Sequence, residues 1–256
     1  MTRFPRIPVL LCILSLVSHP GCTVKENRDL CPAQLVLALP LMQEAAVLLL
    51  GTDAGFRTDS LPAGLPEYRV AVPRGTPVPV MVRTPADLPF ATEGEIRIPE
   101  GEDCPELRLF CRSYEIRGEM FRDSVRLHKN YCRLALRVVS RDGSVPYAFT
   151  VAGGWNGYDP AGRPLEGPFR YRLRPDGEGA ASLRIPRQGD ASLMLELVAE
   201  DGIARSFAVG EYLCESGYDW TAEDLEDAEI RIDYARTFVT LVIGNWSKTL
   251  PFDIVI

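Results

Sequence analysis

The chain has 256 residues, enough for one large domain or two small ones at the ~100–150 residues usual for a domain. Hydrophobic residues make up 46% and charged residues 25%, a composition that builds a packed core and excludes a disordered or low-complexity chain. A formal charge of −7 argues against a nucleic-acid partner, and two histidines, His19 and His128, are too few for a histidine-rich metal cage or paired-histidine catalysis.

Met1–Arg6 is a short basic start, and Ile7–Val17 is an apolar run. That run is too short to cross a bilayer, which takes ~20 residues, but it suits a secretory signal. Ser18-His19-Pro20-Gly21-Cys22 follows. A small residue directly before a cysteine fits a lipoprotein processing site, so residues 1–21 read as a signal peptide cut after Gly21, with Cys22 lipidated as the new N-terminus. His19 departs from the aliphatic residue usual three positions before such a cysteine. Each buried acyl methylene contributes about 0.8 kcal/mol, so several chains on Cys22 hold a protein to a membrane essentially permanently. Residues 22–32 then read as a charged tether around Lys25-Glu26-Asn27-Arg28-Asp29. No later stretch reaches ~18 unbroken apolar residues, so the chain is expected to be anchored to a membrane without spanning it.

Five further cysteines follow Cys22: Cys31, Cys104, Cys111, Cys132 and Cys214. In an oxidising compartment thiols tend to pair, and Cys104 with Cys111 would close a short loop. Five is odd, so at least one stays free. No Cys-x-x-Cys occurs, which leaves zinc ribbons and thioredoxin-type chemistry without support.

From Cys31-Pro32 onward the pattern reads as strand after strand. Glycine and proline, 21 of each, punctuate it and leave little room for long helices. Gln34–Leu39, Tyr68–Val72, Val78–Val82, Glu95–Ile98 and Leu107–Cys111 are short β-rich runs, while Leu41–Leu50 fits a short helix and a buried strand equally. Arg112–Lys129 is highly charged and is the best candidate for a domain boundary. A second β-rich block comprises Cys132–Val139, Tyr147–Val151, Phe169–Leu173, Ala181–Ile185, Leu193–Val198, Ser206–Val209, Ala228–Tyr234, Thr237–Ile243 and Pro251–Ile256. Turn signals such as Asp142-Gly143, Pro175-Asp176-Gly177 and Gly244-Asn245 lie between them at roughly 8–12-residue spacing, the mark of sandwiches and barrels. The expected architecture is all-β: two sandwiches in series, residues 33–126 and 127–256, with no sequence repeat between them. One short helix is expected over about Ala222–Asp227, with Thr221 as its cap.

No constellation of reactive residues stands out. Asp219, Glu223, Asp224, Glu226 and Asp227 could supply a calcium site or a glycosidase pair, but a capped helix turn with a solvated acidic face explains them more simply. Gly153-Gly154-Trp155-Asn156-Gly157 reads as a turn between strands rather than a phosphate loop. His128, in a charged segment, is expected to be solvated. Trp155, Trp220 and Trp246 are expected in core positions, the alternative being an aromatic sugar platform on a surface glycan-binding lipoprotein. The ending Phe252-Asp253-Ile254-Val255-Ile256 places Phe252, Ile254 and Ile256 on one face of a strand. Such an apolar strand either completes its own sheet or pairs with a sheet of another subunit as a donor strand.

Four segments resemble the fimbrial anchor lipoproteins of the Bacteroidales, the FimB-like family of type V pili: CTVKENRDLCP (22–32), IPRQGDASLMLEL (185–197), VGEYLCESGYDWTAEDLEDAEIRIDYA (209–235) and the Trp246–Ile256 ending. Ala33 stands where that family has a second cysteine after Cys-Pro. The resemblance implies transthyretin-like β-sandwiches held by lipid on Cys22 in the outer membrane and exposed at the cell surface. It also implies a role at the base of a fimbria, tying the polymer to the membrane and limiting its length, with a fimbrial stalk subunit as partner. It implies no catalytic residue, metal or cofactor. Changing Cys22→Ala should move the protein from the membrane fraction to the soluble fraction on cell fractionation; retention in the membrane would show that another feature anchors it.

Overall fold

Apolar residues at every second position set the strands of the described residues, which are 31–39, 42–92, 94–139, 147–199, 204–233 and 238–251 of a computed structural model. In chain order the first half forms β1 (Ala33–Ala38), β2 (Ala46–Thr52), β3 (Gly55–Leu61), β4 (Glu67–Val72), β5 (Pro77–Thr84), β6 (Ala91–Thr92), β7 (Glu95–Arg97), β8 (Arg108–Glu115), β9 (Met120–Ser124) and β10 (His128–Lys129). The second half forms β11 (Tyr131–Val139), β12 (Tyr147–Tyr158), β13 (Pro164–Leu173), β14 (Ala180–Pro186), β15 (Met194–Ala199), β16 (Ala204–Phe207), α1 (Val209–Glu215), β17 (Ala228–Asp233), β18 (Phe238–Ile243) and β19 (Trp246–Pro251). The architecture is all-β apart from α1.

Two sandwiches result. In the first, the sheet β4-β1-β9 closes with β10-β8-β5-β2-β3 over Leu35, Leu37, Leu48, Leu61, Val80 and Phe110. In the second, β14-β11-β17-β18-β19 closes with β16-β15-β12-β7-β6, and β13 flanks β12; Leu134, Phe149, Phe169, Leu195, Ile230 and Leu241 fill the space between. The two are wound alike. Strand β1 pairs antiparallel with β4 and parallel with β9, just as β11 pairs antiparallel with β14 and parallel with β17. Likewise β2 lies against β3 and β5, and β5 against β8, as β12 lies against β13 and β15, and β15 against β16. Seven strands therefore repeat in order without a repeat in sequence. The hairpin β18–β19, turned by Gly244-Asn245 with Gly244 at φ 52°, has no counterpart among the described residues of the first sandwich.

A third apolar cluster joins the sandwiches. Val47 and Leu49 on β2, Met81 on β5 and Leu109 on β8 meet Ile96 of β7 and Tyr158 of β12. Strand β2 is thus buried on both faces, Leu48 and Leu50 toward the first core and Val47 and Leu49 toward the joint. Such strands read as continuous apolar runs, which is why periodicity alone leaves Leu41–Leu50 ambiguous. Between β5 and β8 the chain leaves the first sandwich. Ile96 and Arg97 pair with Tyr158 and Gly157, while Ile98 and Cys104 enter the second core. The described residues from Pro32 onward cluster as one compact unit.

Several sequence expectations are corrected. Gly153–Gly157 is no turn; it lies inside β12, where the register against β13 shifts twice and the neighbour on the other side changes from β15 to β7. Arg112–Lys129 carries the end of β8 and all of β9 and β10, and its charge reflects an exposed edge. The helix expected over Ala222–Asp227 does not form, and the one helix among the described residues is α1, starting at Val209 where a strand was expected to end. The five cysteines from Cys31 to Cys214 are all free. Cys104 sits in the second core, whereas Cys111 faces the joint beside Gly162, so the two do not close a loop. Burial pushes the Cys111 thiol up to about 12 and the Cys132 thiol to about 11, keeping both protonated at neutral pH.

Gly157 is needed for closeness: a Cβ there would collide with the Ile96 carbonyl. Gly157→Ala should cost about 1–3 kcal/mol in chemical denaturation, the range typical of overpacking, and Gly177→Ala, which meets open space, should be near neutral. Equal stability of the two variants would remove this reading of the β7–β12 contact.

Candidate functional site

A buried polar knot lies beside the apolar joint, where residues 128–130 lead into β11. Asn130 donates its amide to the Leu107 carbonyl (2.9 Å) and its side-chain Nδ2 to the His128 carbonyl (2.9 Å). The Tyr158 hydroxyl donates to the Asn130 carbonyl and accepts the Arg187 amide (2.7 Å). Arg187, 9% exposed, donates its guanidinium to Asn130 Oδ1 (3.1 and 3.3 Å), to the Ala222 carbonyl (2.8 Å) and to the Trp220 carbonyl. All these acceptors are neutral. A buried cation is costly unless its donors are satisfied, and here four hydrogen bonds from its five N–H groups offset much of the lost hydration. Burial pushes the Tyr158 hydroxyl well above its ordinary pKa, so it stays a donor.

The acidic run serves the same joint. Asp219 accepts the amide and hydroxyl of Thr221 (2.7 and 2.6 Å), which closes a turn instead of capping a helix. Asp224 accepts the Lys129 amide (2.7 Å) and lies 3.1 Å from His128 Nδ1; these contacts hold its carboxyl below the usual range. Asp227 takes Lys129 Nζ (2.5 Å) and the Arg133 amide (2.8 Å). His128 is therefore not solvated: its side chain is 18% exposed, against Asp224. Leu225 is buried in the second core, so the 218–227 loop lies flat on the sandwich. With each carboxylate turned to its own staple, no group of three metal-binding side chains forms among the described residues.

The tryptophans pack. Trp220 is buried with the Tyr218 ring edge 4.7 Å away, Trp246 rests on the second core, and the Trp155 indole lies against Gly189. A sugar platform needs exposed ring faces, and these three do not make one.

Two sheet edges carry the remaining candidates. Strand β18 is hydrogen-bonded on one side by β17 and on the other by β19, so it is closed to a partner. In the first sandwich the edge equivalent to β17 is β9, and it pairs only with β1 among the described residues. Met120 and Phe121 on that edge are 58% and 45% exposed. Phe121 is in register with buried Leu35 and its ring lies 5.7 Å from that of Tyr114, so it covers the open side of the first core. The lipidation and cleavage residues Cys22 and Gly21, and the donor-strand residues Phe252, Ile254 and Ile256, lie outside the described residues.

No family model matches the chain, and no curated protein matches it. Solved structures share its fold. The fimbrial anchor protein from Porphyromonas gingivalis is similar with a TM-score of 0.60 at 10% identity, over 85% of this chain and 99% of that one. A protein proposed to bind polysaccharide, from Bacteroides thetaiotaomicron, also gives 0.60, at 11% identity over 85% and 98%. A proposed adhesin from Bacteroides ovatus gives 0.54, at 13% identity over 86% and 95%.

The knot yields its own prediction. Arg187→Leu strands the Trp220 and Ala222 carbonyls and should lower stability by about 3 kcal/mol in urea denaturation. Arg187→Lys cannot reproduce the fork and should recover little; full recovery by lysine would show that charge alone matters.

Proposed function

We propose that this protein is a fimbrial anchor subunit, tied to the outer membrane through lipid on Cys22, exposed at the cell surface, and joined to a fimbrial stalk subunit by β-strand addition. On this reading it has no catalytic role and no cofactor, and its task is mechanical: to hold the polymer to the cell and limit its length. The fold shared with a fimbrial anchor protein supports the reading.

The observation that carries it is the contrast between two equivalent edges. The β17 edge of the second sandwich is completed by the hairpin β18–β19, whereas the β9 edge of the first sandwich ends on exposed Met120 and Phe121. An added strand gains main-chain hydrogen bonds along β9 and covers both side chains. The segment 252–256, directly after β19, supplies the second arm, with Phe252, Ile254 and Ile256 filling apolar slots on the partner.

Two variants test the reading in cells. Deletion of residues 252–256, and separately Met120→Lys with Phe121→Asp, should each leave the lipoprotein in the membrane. The variant that breaks the joint should release fimbriae into the medium, seen by electron microscopy of cells and culture supernatant. Fimbriae staying cell-bound in both would show that neither edge makes the joint.

A further inference from the structure

A cleft of about 360 Å³ opens on the second sandwich where β13 runs beside β14. Arg172 and Arg174 line it together with Tyr171, Ser182 and Gly101. Among the described residues no acidic side chain lines it. Glu196, in the neighbourhood, holds Arg170 through two hydrogen bonds (2.5 and 3.2 Å). Arg172 and Arg174 have no ion pair or side-chain hydrogen bond among the described residues. They stand two positions apart, Arg172 within β13 and Arg174 just past its end. In a chain of net charge −7, two such guanidinium groups beside one recess concentrate positive charge there.

The chemistry of the lining selects a ligand. A guanidinium presents a planar fork that fits a carboxylate bidentately. Tyr171, half-buried and packed against the second core, leaves its outer part at the cleft for the apolar face of a pyranose, and the Ser182 hydroxyl with the carbonyl of Gly101, whose own amide is held by the Arg170 carbonyl, suits ring hydroxyls. We propose that this cleft binds a glycan bearing carboxylate groups, with Arg172 and Arg174 taking the carboxylates. This activity is separate from the fimbrial joint, whose edges lie elsewhere, so either can fail while the other stands.

Titration calorimetry of the purified protein with tetragalacturonate tests it, with the fully methyl-esterified tetragalacturonide as the neutral counterpart. Saturable binding of the acid is expected, with none detectable for the ester. The double variant Arg172→Gln, Arg174→Gln should bind about tenfold or more weakly, given the loss of charge-assisted hydrogen bonds, and its unchanged thermal melt would show that it folds. Arg117→Gln, an exposed charge of the first sandwich, should bind like the unaltered protein. No binding of the acid, equal binding of the ester, unchanged affinity in the double variant, or displacement of the acid by equimolar inorganic phosphate would each overturn the proposal.

Discussion

Everything else in this molecule depends on the joint between its two sandwiches. Joints between domains in one chain are often polar and allow motion. Here Val47, Leu49, Met81 and Leu109 give the first sandwich an apolar outer face, and Ile96 and Tyr158 cover it. Beside that cluster, Arg187 and Asn130 bind the 218–222 loop to the segment entering β11. Apolar contact supplies adhesion without direction, and the knot supplies direction without much net stabilisation, because hydrogen bonds largely replace bonds to water. Together they fix one relative orientation.

The division of labour among charged residues follows from that constraint. Ion pairs on exposed strands, such as Arg117 with Glu115 and Arg97 with Glu95, are solvated and contribute little. Carboxylates near the joint instead accept backbone amides: Asp224 from Lys129, Asp227 from Arg133 and Asp103 from Arg184. An amide acceptor fixes where the main chain runs, whereas a long side-chain partner adapts to it. The acidic run therefore serves chain placement.

Much of the fold was legible in the sequence, and the failures have physical causes. Alternation exposed strands with one wet face, such as β11, because period two survives only where one face meets water. The same rule hid β2 and made β9, whose residues are nearly all exposed, look like a linker. Gly153–Gly157 resembled a turn because glycine serves two needs, tight reversal and close approach, and only the neighbouring strand β7 shows which one applies. The acidic stretch looked helical because Thr-x-x-Asp is a local signal, while the partners that bend it into a turn lie about 95 residues away at Lys129. Site chemistry was less legible still. Arg187, a buried and hydrogen-bonded charge, carries no motif, and Gly101, Tyr171 and Ser182 meet only through the packing of segments distant in sequence.

The excursion of residues 91–104 sets an order of assembly. Strand β7 finds its main partner only in Gly157 and Tyr158, some sixty positions later, while the strands on both sides of the excursion belong to the first sandwich. A chain made N-terminus first must keep that segment waiting until β12 has been made. The early half consequently cannot mature alone, and a truncated product ending before β12 would carry an apolar face with nothing to cover it.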